Sequence, residues 1–148
     1  MKTLFLDFDG VLNSDKSWNK YRPETWKHID PDAMANLREI LEAVPDLKIV
    51  ISSTWRRMMT IDEFRKFLSK WGISEEVVID YTPNGKHLSD DIRGHEIAGW
   101  LTLHPNVTKF VILDDDNDMD ELMDNLIQTD HKIGLTEKDV KRVVDKLK

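Results

Sequence analysis

The chain contains no cysteine, which excludes disulfides, thiolate nucleophiles and thiolate-bound metals and is in keeping with a reducing compartment. Histidine is sparse, and His28, His87, His95, His104 and His131 include no pair at metal-ligand spacing. Long apolar runs are missing too. No stretch approaches membrane-spanning length, and Met1-Lys2-Thr3 leads into an apolar run too short for a signal-peptide core, so a soluble, cytoplasmic protein without a membrane partner is expected. Positive charge is in deficit: 21 Lys and Arg against 28 Asp and Glu leave a formal charge of -7, a field that repels nucleic acid as a whole. Five aspartates fall between Asp114 and Asp120, where a bound divalent cation would offset part of that deficit. A phosphorylated substrate is therefore expected to be drawn in by metal and local arginine, not by net charge.

The 148 residues suit one domain, 1–148, with a full core, and no repeat, linker or low-complexity segment interrupts them. Strand and helix signals alternate from end to end, which predicts an α/β fold: a mostly parallel central sheet with helices on both faces. The expected strands are Thr3 to Leu6, Leu47 to Ser52, Val77 to Ile79 and Lys109 to Leu113, with a further short one at Ile127 to Thr129. Asp30 and Pro31 form a cap and first position for a helix bearing Met34, Leu37, Leu41 and Val44. Thr60 with Glu63, and Thr136 with Asp139, have capping-box spacing ahead of two further helices. Asp90 or Asp91 is expected to cap a helix through Arg93, Ile97 and Leu101, and a short helix is expected over Met119, Leu122, Met123 and Leu126. Asn13 to Ile29 is long for a connection, and Asp80 to Asp90 is rich in turn formers.

The most informative stretch is Asp7-Phe8-Asp9-Gly10-Val11-Leu12, directly after the first strand. Ligands of open α/β sheets bind at the carboxyl ends of strands. Side chains two apart on an extended chain point the same way, so Asp7 and Asp9 can face one site while Phe8 faces away. Two acids held close require a cation or a shared proton.

That hexapeptide resembles the first motif of the haloacid dehalogenase-like (HAD) hydrolases, whose first Asp is a nucleophile and whose second is a general acid/base. Ile49-Val50-Ile51-Ser52 resembles the second motif, Arg93 stands where the family places a Lys or Arg, and Val111-Ile112-Leu113-Asp114-Asp115-Asp116-Asn117-Asp118 resembles the acidic fourth motif. More narrowly, Ser52-Ser53-Thr54-Trp55-Arg56, Arg93-Gly94-His95-Glu96-Ile97 and Gly134-Leu135-Thr136 resemble the small HAD domains grouped with Swiss Army Knife RNA-repair proteins.

The resemblance implies a three-layer Rossmann-like fold without a substantial cap domain, since neither irregular stretch is long enough to be one. It implies a Mg2+-dependent phosphatase working through a phosphoaspartate on Asp7, with Asp9 as acid and base. Ser52 would donate to a phosphoryl oxygen, and Arg93 would offset developing charge, with Lys86 the alternative for that cationic role. Asp7, Asp9 and Asp114, with Asp115 or Asp118, would hold the metal. Ser53, Arg56, Lys86 and Trp18 are the expected substrate contacts, for a nucleotide or the phosphorylated end of a nucleic acid. Trp18-Asn19-Lys20-Tyr21-Arg22 mixes rings and cations suited to a base and its phosphate, and Trp55-Arg56-Arg57 could form a basic lip.

Each residue has a plainer reading. Asp7 and Asp9 alone would be a turn or cap, Ser52 to Thr54 a capped turn, Arg93 a solvated helix residue, and Asp118 the cap of a helix near Met119. Trp18 and Trp26 could simply anchor a long loop, with Trp55 packed down. The order of the motifs favours the catalytic reading. Within the superfamily, Asp9 speaks against a dehalogenase, and the alternative is a small-metabolite phosphatase or a phosphomutase of the same fold, although phosphomutases usually carry a cap that is missing here. A receiver-like module would carry its phosphoacceptor after the third strand, where only Asp80 stands. A degenerate binding domain would have lost catalytic positions that are all occupied here.

Overall fold

The computed structural model of the chain describes residues 1–83 and 92–148. At its centre, β1 (Lys2–Leu6), β2 (Lys48–Ile51), β3 (Val78–Tyr81), β4 (Lys109–Asp114) and β5 (Leu126–Gln128) form a wholly parallel sheet ordered β3-β2-β1-β4-β5. The helices between and after them are α1 (Asp15–Tyr21), α2 (Pro31–Ala43), α3 (Ile61–Ser69), α4 (Arg93–Thr102) and α5 (Glu137–Leu147). This is the expected α/β fold, and the described residues contain no separate cap domain. Among them, no helix is long and apolar enough to cross a membrane.

The strands are apolar on both faces because both faces are covered. Leu4, Leu6, Ile49, Ile51, Val111 and Leu113 enter one core together with α2, α3 and α5. The residues between them, Phe5, Val50 and Ile112, enter a second core with Ile97 and Trp100 of α4 and with Met119. That two-residue alternation continues past the end of β1: Phe8 joins the first core, and Asp7 is left on the side of α4.

Chain connections run outward from β1 in both directions, so β1 is the point at which strand order reverses and a crevice opens. The ladder continues one residue beyond the strands there. Asp7 donates its N–H to Leu113 O (3.0 Å), Ser52 to Leu6 O (2.9 Å), Thr82 to Ile51 O (2.9 Å) and Thr129 to Asp114 O (2.9 Å). Backbone hydrogen bonds of the sheet therefore fix the residues that form the rim of the crevice.

The capping signals are realised at α2, where Asp30 accepts from Asp32 N–H behind Pro31, and as complete boxes at Thr60–Glu63 and Thr136–Asp139. Several expectations require correction. β3 begins one residue late because Val77 closes a 3-10 turn, and β5 begins one residue early, at Leu126. The segment around Met119 forms a 3-10 turn, Asp120–Asn125, not an α-helix: Asp120 adopts φ 50°, and Leu126 is already in the strand. The long connection after β1 contains α1, held by a Ser14–Ser17 box rather than by an apolar stripe. That connection is tied to the body, with Asn13 Nδ2 donating to His28 O (3.0 Å) and Asp30 N–H to Leu12 O (2.7 Å).

Candidate functional site

The two acidic motifs converge. Ligand oxygens of Asp7, Asp114 and Asp115 all lie within 4.8 Å of one another at the carboxyl end of β1 and β4. Gly10 makes this approach possible: it adopts φ +80°, and a Cβ there would sit 2.3 Å from Asp115 Oδ2. Asp7 Oδ1 accepts the Phe8 N–H at 2.9 Å, and Asp114 Oδ1 accepts the Asp116 N–H at 3.0 Å, so both carboxylates are oriented by backbone. Three hard oxygen donors from fixed backbone positions suit a divalent cation such as magnesium.

Electrostatics agree with that fit. Burial, only partly countered by Arg93 and aggravated by Asp115, pushes the Asp7 carboxyl up to about 6. Burial together with the Asp7 charge pushes Asp114 up to about 9. Without a cation the cluster thus retains protons that a divalent ion would displace.

Arg93 is the first residue of α4 and its guanidinium reaches into the cluster, with Nη1 3.2 Å from Asp114 Oδ2 and 3.6 Å from Asp7 Oδ1. Burial opposes its charge, but Asp7, Asp114, Glu96 and Asp118 outweigh that and hold it above its ordinary value. Glu96, one turn along, lies 3.6 Å from Arg93 Nε and 2.6 Å from Arg56 Nη2. Gly94 lets the start of α4 press against the turn before β5, since a Cβ there would meet Met119 O at 2.3 Å.

Asp9 is exposed beside the cluster, and its Oδ1 accepts from both Asn13 Nδ2 (3.0 Å) and Trp55 Nε1 (3.1 Å). Ser52 Oγ is fully buried with no hydrogen-bond partner in the described structure. A buried hydroxyl without a partner is costly unless a ligand supplies one.

A family profile described as "HAD domain in Swiss Army Knife RNA repair proteins" matches residues 3–140. The chain belongs to this family. Among solved structures, this HAD domain is similar to the HAD domain of effector protein Lem4 from Legionella pneumophila. The TM-score is 0.61 at 18% identity, over 99% of this chain and 95% of that one. At that identity the likeness shows the fold alone. No curated protein sequence matches the chain.

The HAD domain brings together Asp7, Arg93, Asp114 and Asp115, with Asp9 on the adjoining cavity wall and the Ser52 hydroxyl in its buried place at the end of β2. The carboxylates of two expected metal ligands lie elsewhere: Asp9 is turned toward Asn13 and Trp55, and Asp118 Oδ2 caps α4 by accepting the Arg93 N–H at 3.1 Å. That cap stands where Asp90 or Asp91 was expected; these two residues and Lys86 lie outside the described residues. The Ser53 hydroxyl caps the turn at Thr54–Arg57 by accepting the Trp55 N–H. Arg56 does not stand on the surface as a basic lip. It is buried, donating to the carbonyls of Thr82, Ser52, Ser53 and Pro83 as well as to Glu96, and only Arg57 of that pair is exposed. Trp18 lines the cavity beside Asp9. Asp80, the receiver alternative, accepts from Trp100 Nε1 at 2.8 Å on the edge of the sheet. Glu96, Asn13 and the Trp55 N–H contact Arg93 and Asp9 in ways that sequence reasoning missed. Only the i,i+3 spacing of Arg93 and Glu96 hinted at any of them.

Proposed function

We propose that this HAD domain is a magnesium-dependent phosphatase that works through a phosphoaspartate on Asp7, with a nucleotide or a nucleic-acid end phosphate as substrate. The observation that carries this reading is the convergence of Asp7, Asp114, Asp115 and Arg93 at the carboxyl end of β1. Magnesium, held by the three aspartates, would supply charge neutralisation for the phosphoryl oxygens and for the acids themselves.

The chain's own residues perform the rest. A carboxylate oxygen of Asp7 attacks phosphorus, the bond from phosphorus to the ester oxygen breaks, and its electron pair leaves with that oxygen, which takes a proton from Asp9. Arg93 and the Ser52 hydroxyl hold phosphoryl oxygens while their charge redistributes. Asp9 then takes a proton from a water that attacks the phosphoaspartate, releasing phosphate and restoring the Asp7 carboxylate. The two N–H donors on Asp9 Oδ1 favour its other oxygen as the one that carries the proton. The family's description, with its RNA-repair proteins, supports a nucleotide-bearing substrate.

The test is phosphate release from p-nitrophenyl phosphate and from 3′- and 5′-phosphorylated nucleotides, in magnesium and after chelation. Turnover in magnesium that stops with EDTA is expected. Equal turnover in both conditions removes the metal from the scheme, and no release from any substrate removes the phosphatase reading.

A further inference from the structure

The cavity that opens beside Asp9 encloses about 530 Å3, and three indoles, Trp18, Trp26 and Trp55, form its walls together with Met58. In the scheme above, Asp9 must touch the ester oxygen that departs, so the leaving group lies in this cavity. Its volume falls within the roughly 300–1,000 Å3 of small-molecule sites, which suits a base with its sugar.

The walls are rigid. Trp55 is buried and held through its N–H by Asp9, and it meets Phe8 edge-to-face at 4.8 Å and Trp26 at 5.0 Å. Trp18 is braced by His28 at 4.9 Å, and His28 hydrogen-bonds Ser17. Trp26 nonetheless leaves 42% of its surface in water, with Lys27 Nζ over its ring at 5.5 Å from the centroid. Charge narrows the occupant further. No Lys or Arg among the described residues lines the cavity, whereas Asp9, Asp15 and Asp115 do, and His131 Nε2 already faces Asp15 at 3.7 Å. A second phosphate would find carboxylates there. Thr54, Asp15 and His131 do offer the hydrogen-bonding groups that the edge of a heterocycle uses and a plain hydrocarbon does not.

Resting on the phosphatase reading, the geometry points to a single nucleoside as the leaving group, its base stacked in the tryptophan cleft. The substrate is then a nucleoside monophosphate and not the end of a long polyanion.

The test compares kcat/KM for adenosine 5′- and 3′-monophosphate, ribose 5-phosphate and a 5′-phosphorylated tetranucleotide, for the wild type and for Trp26→Ala. The better nucleoside monophosphate should exceed ribose 5-phosphate by about tenfold or more, the tetranucleotide should be slower, and Trp26→Ala should shrink the first ratio about tenfold through KM. Equal rates with and without the base, a ratio that Trp26→Ala leaves unchanged, or a tetranucleotide faster than the monomer overturns the proposal. If no probe is hydrolysed, the phosphatase reading fails, and the cleft is judged by titrating adenosine while following the indole N–H resonances of Trp18 and Trp26. Saturable shifts support the stacking site, and their absence overturns it.

Discussion

Glu96→Gln removes one charge from the buried chain Arg56–Glu96–Arg93 while keeping the volume of the side chain. The Arg56–Glu96 contact is 2.6 Å long, and the two side chains are 2% and 4% exposed, so no water takes over when the charge is lost. Burial already drives the Arg56 guanidinium below its ordinary value, and Glu96 is what holds it up. Removing one partner of such a pair costs about 3–5 kcal/mol. Glutamine keeps one oxygen that can accept from Nη2, and Arg56 keeps its four carbonyl partners, which puts the cost near the lower end, at about 3 kcal/mol. For a chain of this size that is a fall in Tm of roughly 6–12 °C. Thermal unfolding followed by far-UV circular dichroism measures it, and the loss should be insensitive to salt because the pair is shielded from solvent ions. A fall of less than about 2 °C would refute the reasoning and show that the carbonyl cage alone carries the buried cation.

Other consequences are as direct. Gly94→Ala would put a Cβ 2.3 Å from the Met119 carbonyl oxygen, which is backbone and cannot rotate away. The variant should lose at least about 1–3 kcal/mol and should lower kcat by shifting Arg93; an unchanged Tm together with unchanged kcat would show that α4 has room to spare. Asp7 at about 6 and Asp114 at about 9 both lie above the ordinary value of 3.8, so folding takes up protons between those values. Their contribution to the stability of the chelated protein is therefore intact below about pH 4 and declines as pH rises through about 6 and then about 9. Magnesium should reverse the decline near neutrality, and a chelated protein whose Tm rises over that range contradicts the burial of both acids. Asp114→Asn should raise the Tm of the chelated protein at about pH 8 and abolish its stabilisation by magnesium, because the cost of protonating a buried carboxylate on folding and one metal ligand are removed together. A magnesium shift that survives the substitution would remove Asp114 from the metal site.

The sheet and the pairing of acidic motifs were legible because both depend on short-range periodicity. Alternation along β1 puts Phe8 in the core and Asp7 outside it, and parallel neighbours bring β1 and β4 to the same edge. Cap residues followed by apolar stripes located α2, α3 and α5 in the same way. What stayed hidden depends on distant partners. Arg56 and Arg57 are neighbours of the same type, and only the phase of a 3-10 turn decides that one is buried under Glu96 while the other meets water. Asp118 caps a helix that begins 25 residues earlier, a pairing that no local window contains. α1 has a cap but no apolar stripe, so its segment read as a plain connection.

The central claim is that Asp7 carries the phosphoryl group. The most direct measurement incubates the Asp9→Asn protein with magnesium and a phosphorylated nucleotide, quenches in acid and maps the modified peptide by mass spectrometry. The account predicts a phosphate on Asp7 that is absent once Asp7→Asn is added. Phosphate on another residue, or wild-type turnover by Asp7→Asn alone, would contradict it.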